Sequence, residues 1–175
     1  SGAVNILANW NSDQTGAGET PPSFAGIFII QPGHEMTTGA NWAFGTAGSR
    51  LEISEGARLT AISAVTINAA ATFRINDGGT YVHSVGTAMS TSIFNGNEEF
   101  ATNSNFIYTV PPNGASGLTG GYGNLTFSIT TGSAATGLSG NFAEIKGNFL
   151  VTNTNNQNIR LSNNNTTLNI GGNFT

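Results

Sequence analysis

The chain is 175 residues long and 38% hydrophobic, enough for one domain with a continuous core, which excludes disorder over most of its length. Only 8% of it is charged, against roughly 25% in an average soluble domain, and with a net charge of −4 and Arg50, Arg58, Arg74, Lys146 and Arg160 as its cations it has no basic stripe for a phosphate backbone, so nucleic acid is not expected as a partner. The absence of cysteine excludes disulfides and thiolate metal sites, and no apolar run of about 18 residues could cross a membrane as a helix.

Polar character is carried instead by amides and hydroxyls, alongside 24 glycines. Asn, Thr and Ser stack on their own kind along a sheet without the repulsion of stacked like charges, so the composition suits a repetitive sheet. Residues 1–25 carry Trp10, a turn-rich stretch over 11–18 and Pro21-Pro22, and lie outside any repeat. They are expected to form an N-terminal cap over the first open rung. No positively charged, apolar signal segment stands at Ser1.

Residues 26–94 hold a first group of repeats. Phe28-Ile29-Ile30-Gln31-Pro32-Gly33-His34-Glu35-Met36-Thr37 aligns without gaps on Leu51-Glu52-Ile53-Ser54-Glu55-Gly56-Ala57-Arg58-Leu59-Thr60. Phe73-Arg74-Ile75-Asn76-Asp77-Gly78-Gly79-Thr80-Tyr81-Val82 follows as a third copy. The shared pattern is a large apolar residue, any residue, Ile, two turn-type residues, Gly, two more, and another large apolar residue. Gly33 and Gly56 are 23 positions apart, Gly56 and Gly78 are 22 apart, and Trp42 and Phe44 match Val65 and Ile67 at 23.

Residues 95–122 interrupt the pattern with Glu98-Glu99, Pro111-Pro112-Asn113-Gly114 and Gly120-Gly121, and are expected as an irregular loop or insertion. From 123 to 175 a second family takes over: Gly123-Asn124-Leu125-Thr126 recurs as Gly147-Asn148-Phe149-Leu150 and as Gly172-Asn173-Phe174-Thr175, at offsets of 24 and 25. The alternations Leu125/Phe127/Ile129, Ile159/Leu161 and Leu168/Ile170 have the period of two of half-buried strands. The last residues sit within such a strand with no capping element after them, which suggests coils continuing past Thr175.

A period of 22 to 25 residues without helical spacing needs a unit of two or three short strands joined by tight turns. A parallel β-solenoid meets that requirement, with Phe28 and Ile30, Leu51 and Ile53, Phe73 and Ile75 turned inward and stacked at about 4.8 Å. The glycines between strands let the backbone take a positive φ at the corner. A β-sandwich also has many short strands, yet its strands need not repeat in register. A leucine-rich repeat shares the period but not the Leu and Asn spacing.

The segment Ile30-Gln31-Pro32-Gly33-His34-Glu35-Met36 followed by Asn41-Trp42, the copies starting at Leu51 and Phe73, and the Gly-Asn repeats at Gly123, Gly147 and Gly172 together span 27–175. In these features the chain resembles the repetitive extracellular regions of Bacteroidota surface proteins exported by the type IX secretion system, which look like β-solenoids or related stalks. The resemblance implies a large secreted or cell-surface protein engaged in adhesion, gliding or matrix contact. It also implies a C-terminal sorting domain outside these residues, and secretion or filament assembly components as partners beside the rest of the larger protein.

Some parallel β-helices cleave polysaccharides, which makes carbohydrate binding or processing the competing function. Acid/base hydrolysis needs two carboxyl groups about 5–9.5 Å apart. Glu35 and Arg58, and likewise Glu52 and Arg74, hold equivalent places in successive copies and are expected as surface ion pairs. The adjacent Glu98 and Glu99 would point to opposite faces of an extended chain, and are expected as solvated loop charges. His34 and His83 lack metal-pair spacing, no Gly-x-Ser-x-Gly elbow occurs, and Asp77-Gly78-Gly79 has no calcium-loop counterpart in the other copies. No catalytic residue, metal ligand or cofactor is therefore assigned, and the chain is not expected to be an enzyme. Trp42 and Tyr81 are expected in the core or at a corner. Tyr108 and Tyr122, in the irregular segment, are the candidates for stacking on a sugar ring if polysaccharide is a partner. Ice binding would need an unbroken Thr row, and Thr37, Thr60 and Val82 do not supply one.

Overall fold

The computed structural model describes residues 2–3, 26–85, 97–111, 121–132, 138–139, 144–160 and 167–175. They form an all-β parallel solenoid of about five turns of about 23 residues, with no helix among the described residues. β1 (Gly2–Ala3) lies beside the first full coil, which is built of β2 (Ile27–Ile30), β3 (Glu35–Thr37) and β4 (Trp42–Phe44). The second coil is β5 (Arg50–Ile53), β6 (Arg58–Ala61) and β7 (Val65–Ile67), and the third begins with β8 (Thr72–Ile75) and β9 (Thr80–His83). β10 (Glu98–Phe100) and β11 (Asn105–Tyr108) belong to the fourth, and β12 (Asn124–Ser128) and β13 (Leu138–Ser139) to the fifth. β14 (Glu144–Ile145), β15 (Phe149–Asn153) and β16 (Ile159–Arg160) follow, and then β17 (Asn169–Ile170).

Sheets run across the coils. One carries seven strands in the order β1-β3-β6-β9-β11-β12-β15, and a second carries β10-β8-β5-β2. Three two-stranded sheets, β4-β7, β13-β16 and β14-β17, complete the walls. Every strand pairing among the described residues is parallel. An antiparallel sandwich is thereby excluded, because its hairpins would pair consecutive strands in opposite directions.

Register follows the repeat. Phe28 pairs with Leu51 and Leu51 with Phe73, while Ile30, Ile53 and Ile75 form the neighbouring inward column. On the seven-stranded sheet, Met36, Leu59, Tyr81, Phe106, Leu125 and Phe149 stack in one row, each on the next. Trp42 and Phe44 sit over Val65 and Ile67 on the third wall. Alternate residues of a strand face opposite sides, so these rows meet inside and their neighbours face out. All of these core residues are buried except Phe28, which packs half-buried against the cluster. Aromatic rings fill the interior in tilted and edge-on contacts, as with Phe73 against Tyr81 at 5.2 Å and Phe127 against Phe149 at 5.4 Å.

Two kinds of corner explain the two families of repeat. In the first three coils a four-residue turn closes with a backbone hydrogen bond, from His34 N to Gln31 O, Ala57 N to Ser54 O and Gly79 N to Asn76 O. Its third residue is Gly33, Gly56 or Gly78, at φ of 76°, 66° and 73°, a region a side chain enters only with strain. In the later coils the turn collapses to a glycine followed by asparagine. The step into the first of these corners is 19 residues, with Phe106 stacked on Leu125, and the next two are 24 and 25.

Within the stretch 95–122, expected as an irregular loop or insertion, residues 97–111 instead carry β10 and β11 in register with the coil before them. Glu98-Glu99-Phe100 pairs in register with Phe73-Arg74-Ile75, and Phe106 follows Tyr81. Its turn, Ala101-Thr102-Asn103-Ser104, closes with the same backbone bond at 3.1 Å although it lacks the glycine. Of the expected cap, Gly2 and Ala3 pair with Met36 and Thr37. Trp10, the stretch 11–18, Pro21-Pro22, Pro112-Asn113-Gly114, Gly120 and Leu161 lie outside the described residues.

Candidate functional site

Tyr108 and Tyr122, the expected sugar platform, are both interior. Tyr108 is 0% and Tyr122 1% exposed, and their hydroxyls share a 2.9 Å hydrogen bond inside the coil. Rings of Phe106 and Phe127 pack against Tyr108, and Phe100 and Phe106 pack against Tyr122. A ring enclosed in this way has no face left to offer a glycan, which corrects the expectation. Burial pushes the Tyr108 phenol well above its ordinary range, reinforced by repulsion from Tyr122. Tyr122 is raised by burial, with its bond from Tyr108 opposing and the Glu98 charge adding.

Trp42 and Tyr81 are core residues, as their places in the repeat predict. His83 is buried as well, 3.5 Å from the Tyr81 hydroxyl through Nδ1 and with its ring edge-on to Tyr108. His34 sits at an exposed corner far along the sequence from it. No cluster of three or more His, Asp or Glu side chains that could hold a metal occurs among the described residues.

Glu98 overturns a second expectation. It occupies the inward column that holds Phe28, Leu51 and Phe73, and it is 9% exposed rather than solvated in a loop. Glu99 does face out, as alternation requires, and it pairs with Arg74 through Nε at 2.7 Å and through Nη2. The signal lies in the sequence, since 98–106 aligns without gaps on 73–81. Two replacements mask it: Glu98 stands where the leading apolar residue belongs, and Asn103 where the corner glycine belongs.

On the outer face of the four-stranded sheet, Glu52, Arg74 and Glu99 stand in one column with alternating charge. Glu52 also receives Arg50 at 2.9 Å and the Asn76 amide at 2.8 Å. The Glu52 and Arg74 pair expected from the repeat is present at 3.9 Å. Glu35 and Arg58 are register partners, but the ion pairs among the described residues run through Arg50, Glu52, Arg74 and Glu99. Asp77 turns its carboxylate to the next corner, accepting from Asn103 N at 2.9 Å, which gives it a structural use in place of a calcium ligand.

The feature that repeats most regularly at the surface is an asparagine ladder. Asn124 Nδ2 donates to Asn105 Oδ1 at 3.3 Å, and Asn124 Oδ1 accepts from Asn148 N at 2.8 Å and Nδ2 at 3.3 Å. Asn148 Oδ1 in turn accepts from Asn173 N at 2.9 Å. The glycine before each asparagine leaves room for this: a Cβ on Gly172 would lie 2.5 Å from Asn148 Oδ1, and one on Gly147 would collide with Asn124 Oδ1. Beside the ladder, the outward column Thr37, Thr60, Val82, Ile107, Thr126 and Leu150 mixes hydroxyl and aliphatic groups and forms no threonine row. Compared with protein-family models, curated proteins and solved structures, the chain gives no significant match.

Proposed function

We propose that the chain is a structural or adhesive segment, a repetitive β stalk, of a large secreted or cell-surface bacterial protein. The observation that carries this reading is the parallel register from β2 to β17, in which each strand pairs only with the coils before and after it. A stack of that kind grows by adding coils without redesign of its core, which is what a spacer between an anchor and a contact surface requires. Outward positions mix Thr, Asn and Ser with aliphatic residues such as Ile29, Ile107 and Leu150 beside a short charge column, a surface suited to standing beside a polymer or another stalk.

The resemblance to Bacteroidota regions exported by the type IX system supports placing the protein outside the cell. In this reading its partners are the remainder of the larger protein, components of the secretion or filament machinery, and an extracellular polysaccharide. Catalysis is not part of it. The test pairs two assays on the native protein: an antibody against these residues on intact cells, and incubation of the chain with a polysaccharide panel. Labelling of unbroken cells and retention without cleavage are expected. Labelling only after lysis would overturn the location, and release of reducing ends from any polymer would overturn the non-enzymatic role.

A further inference from the structure

Along β11, β12 and β15 the outward columns of the seven-stranded sheet carry no charged side chain among the described residues. Asn105, Asn124 and Asn148 form one column, and Ile107, Thr126 and Leu150 the column beside it. The charged residues of this sheet, Glu35 and Arg58, stand in the first two coils. Lys146, the cation nearest in sequence, commits its ammonium to the Phe100 carbonyl at 2.8 Å. Val82 in the third coil is buried, whereas Ile107 is half-buried and Leu150 is 37% exposed, so the accessible stretch starts at β11.

The ladder fixes which groups the amides present on this face. An asparagine amide has two N–H donors, and one is used along the stack: Asn124 Nδ2 bonds Asn105 Oδ1, and Asn148 Nδ2 bonds Asn124 Oδ1. The second N–H of each takes no partner among the described residues, and in a planar amide it leaves across the ladder, over the sheet. Held from coil to coil, these side chains lose little further freedom on binding. The result is a row of neutral donors about 4.8 Å apart beside a strip of aliphatic and methyl groups.

We propose that this face is a rail for a neutral, unbranched polysaccharide of equatorially linked pyranose units, lying along the stack. A chain of that linkage is extended and advances per sugar by a step close to the rung spacing. Successive hydroxyls then meet successive amides, and the C–H face of each ring lies on Ile107, Thr126 and Leu150. Charge selects as well, because a polyuronate or sulfated chain would lose hydration here with no cation in return. Each coil adds a weak contact, and the contacts act together along one polymer. The rail rests on the polysaccharide arm of the functional reading and gives it a place and a ligand class.

The test titrates cellohexaose into the isotope-labelled 175-residue chain, following the side-chain amides of Asn105, Asn124 and Asn148 and the backbone amides of Thr126 and Leu150. Saturable shifts confined to this face, with a millimolar dissociation constant, are expected. Maltohexaose, whose axial linkage coils it, and hexamannuronate, equatorially linked but anionic, should each bind at least about tenfold more weakly. Thr126→Glu leaves the ladder in place and lays a carboxylate on the rail, so it should weaken cellohexaose by about tenfold, while Thr66→Glu on the third wall changes nothing. Unchanged amide exchange at Leu59 checks that both variants fold, and the comparison of the three sugars needs no variant. Absence of shifts, equal binding of the three sugars, shifts on another wall, or undiminished binding by folded Thr126→Glu would each overturn the rail. None of these results touches labelling of intact cells or the absence of cleavage, so the rail and the stalk reading fail separately.

Discussion

The hydroxyls of Tyr108 and Tyr122 share a 2.9 Å hydrogen bond inside the coil, where the Glu98 charge also acts on Tyr122. Tyr108→Phe removes this hydrogen bond and should cost about 1 kcal/mol in urea unfolding, whereas Tyr108→Phe with Tyr122→Phe should cost less than the sum of the two single changes. The phenols also fix a pH dependence. Tyr81, Tyr108 and Tyr122 are all raised above the ordinary value of 10.0, chiefly by burial, so the fold favours their neutral forms. Their contribution is complete below the unfolded value and is lost as pH rises beyond it toward the folded values. Thermal unfolding followed from pH 8 to pH 11 should therefore show stability falling above about 10, and less steeply in a triple Phe variant. The interior places of Tyr81 and Trp42 are legible in the sequence because three copies of the pattern mark the first and the match to Val65 marks the second. Those of Tyr108 and Tyr122 are not, since the fourth copy, which holds Tyr108, lacks both the leading apolar residue and the glycine, and Tyr122 opens the coil that follows the irregular 19-residue step.

Corners decide how one element hands over to the next, and the glycines around a turn serve different ends. Gly33 has φ of 76° and nothing within 4 Å of the position a Cβ would take, so Gly33→Ala meets only backbone strain, about 1 kcal/mol. Gly79 has an ordinary φ, but a Cβ there would lie 2.8 Å from the Ile53 carbonyl of the coil below. Gly79→Ala should therefore be the more destabilising change in paired urea titrations, although turn propensities alone rank them the other way. Gly33, Gly56 and Gly78 stand out in the sequence through their spacing. The tight approach at Gly79 does not, because it depends on which carbonyl the next coil places beneath it.

At the scale of the whole molecule, the solenoid is legible wherever inward residues recur at near-constant spacing. It is hidden where a coil shortens, since the 19-residue step from Ile107 to Thr126 breaks the period while leaving the stack intact. Parallel register is the claim on which everything else depends, and the chain's lack of cysteine allows it to be tested by cross-linking. Thr37 and Thr60 are register partners across the first two coils, and Ile107 and Thr126 across the shortened step. Neighbouring rungs about 4.8 Å apart fall within disulfide range, while a pair displaced by two residues on one face lies at roughly 8 Å and does not. Under mild oxidation, Thr37→Cys with Thr60→Cys and Ile107→Cys with Thr126→Cys should each cross-link rapidly within one molecule. The displaced controls, Thr37→Cys with Arg58→Cys and Ile107→Cys with Asn124→Cys, should lag far behind. Register pairs that bond no faster than their controls would contradict the account.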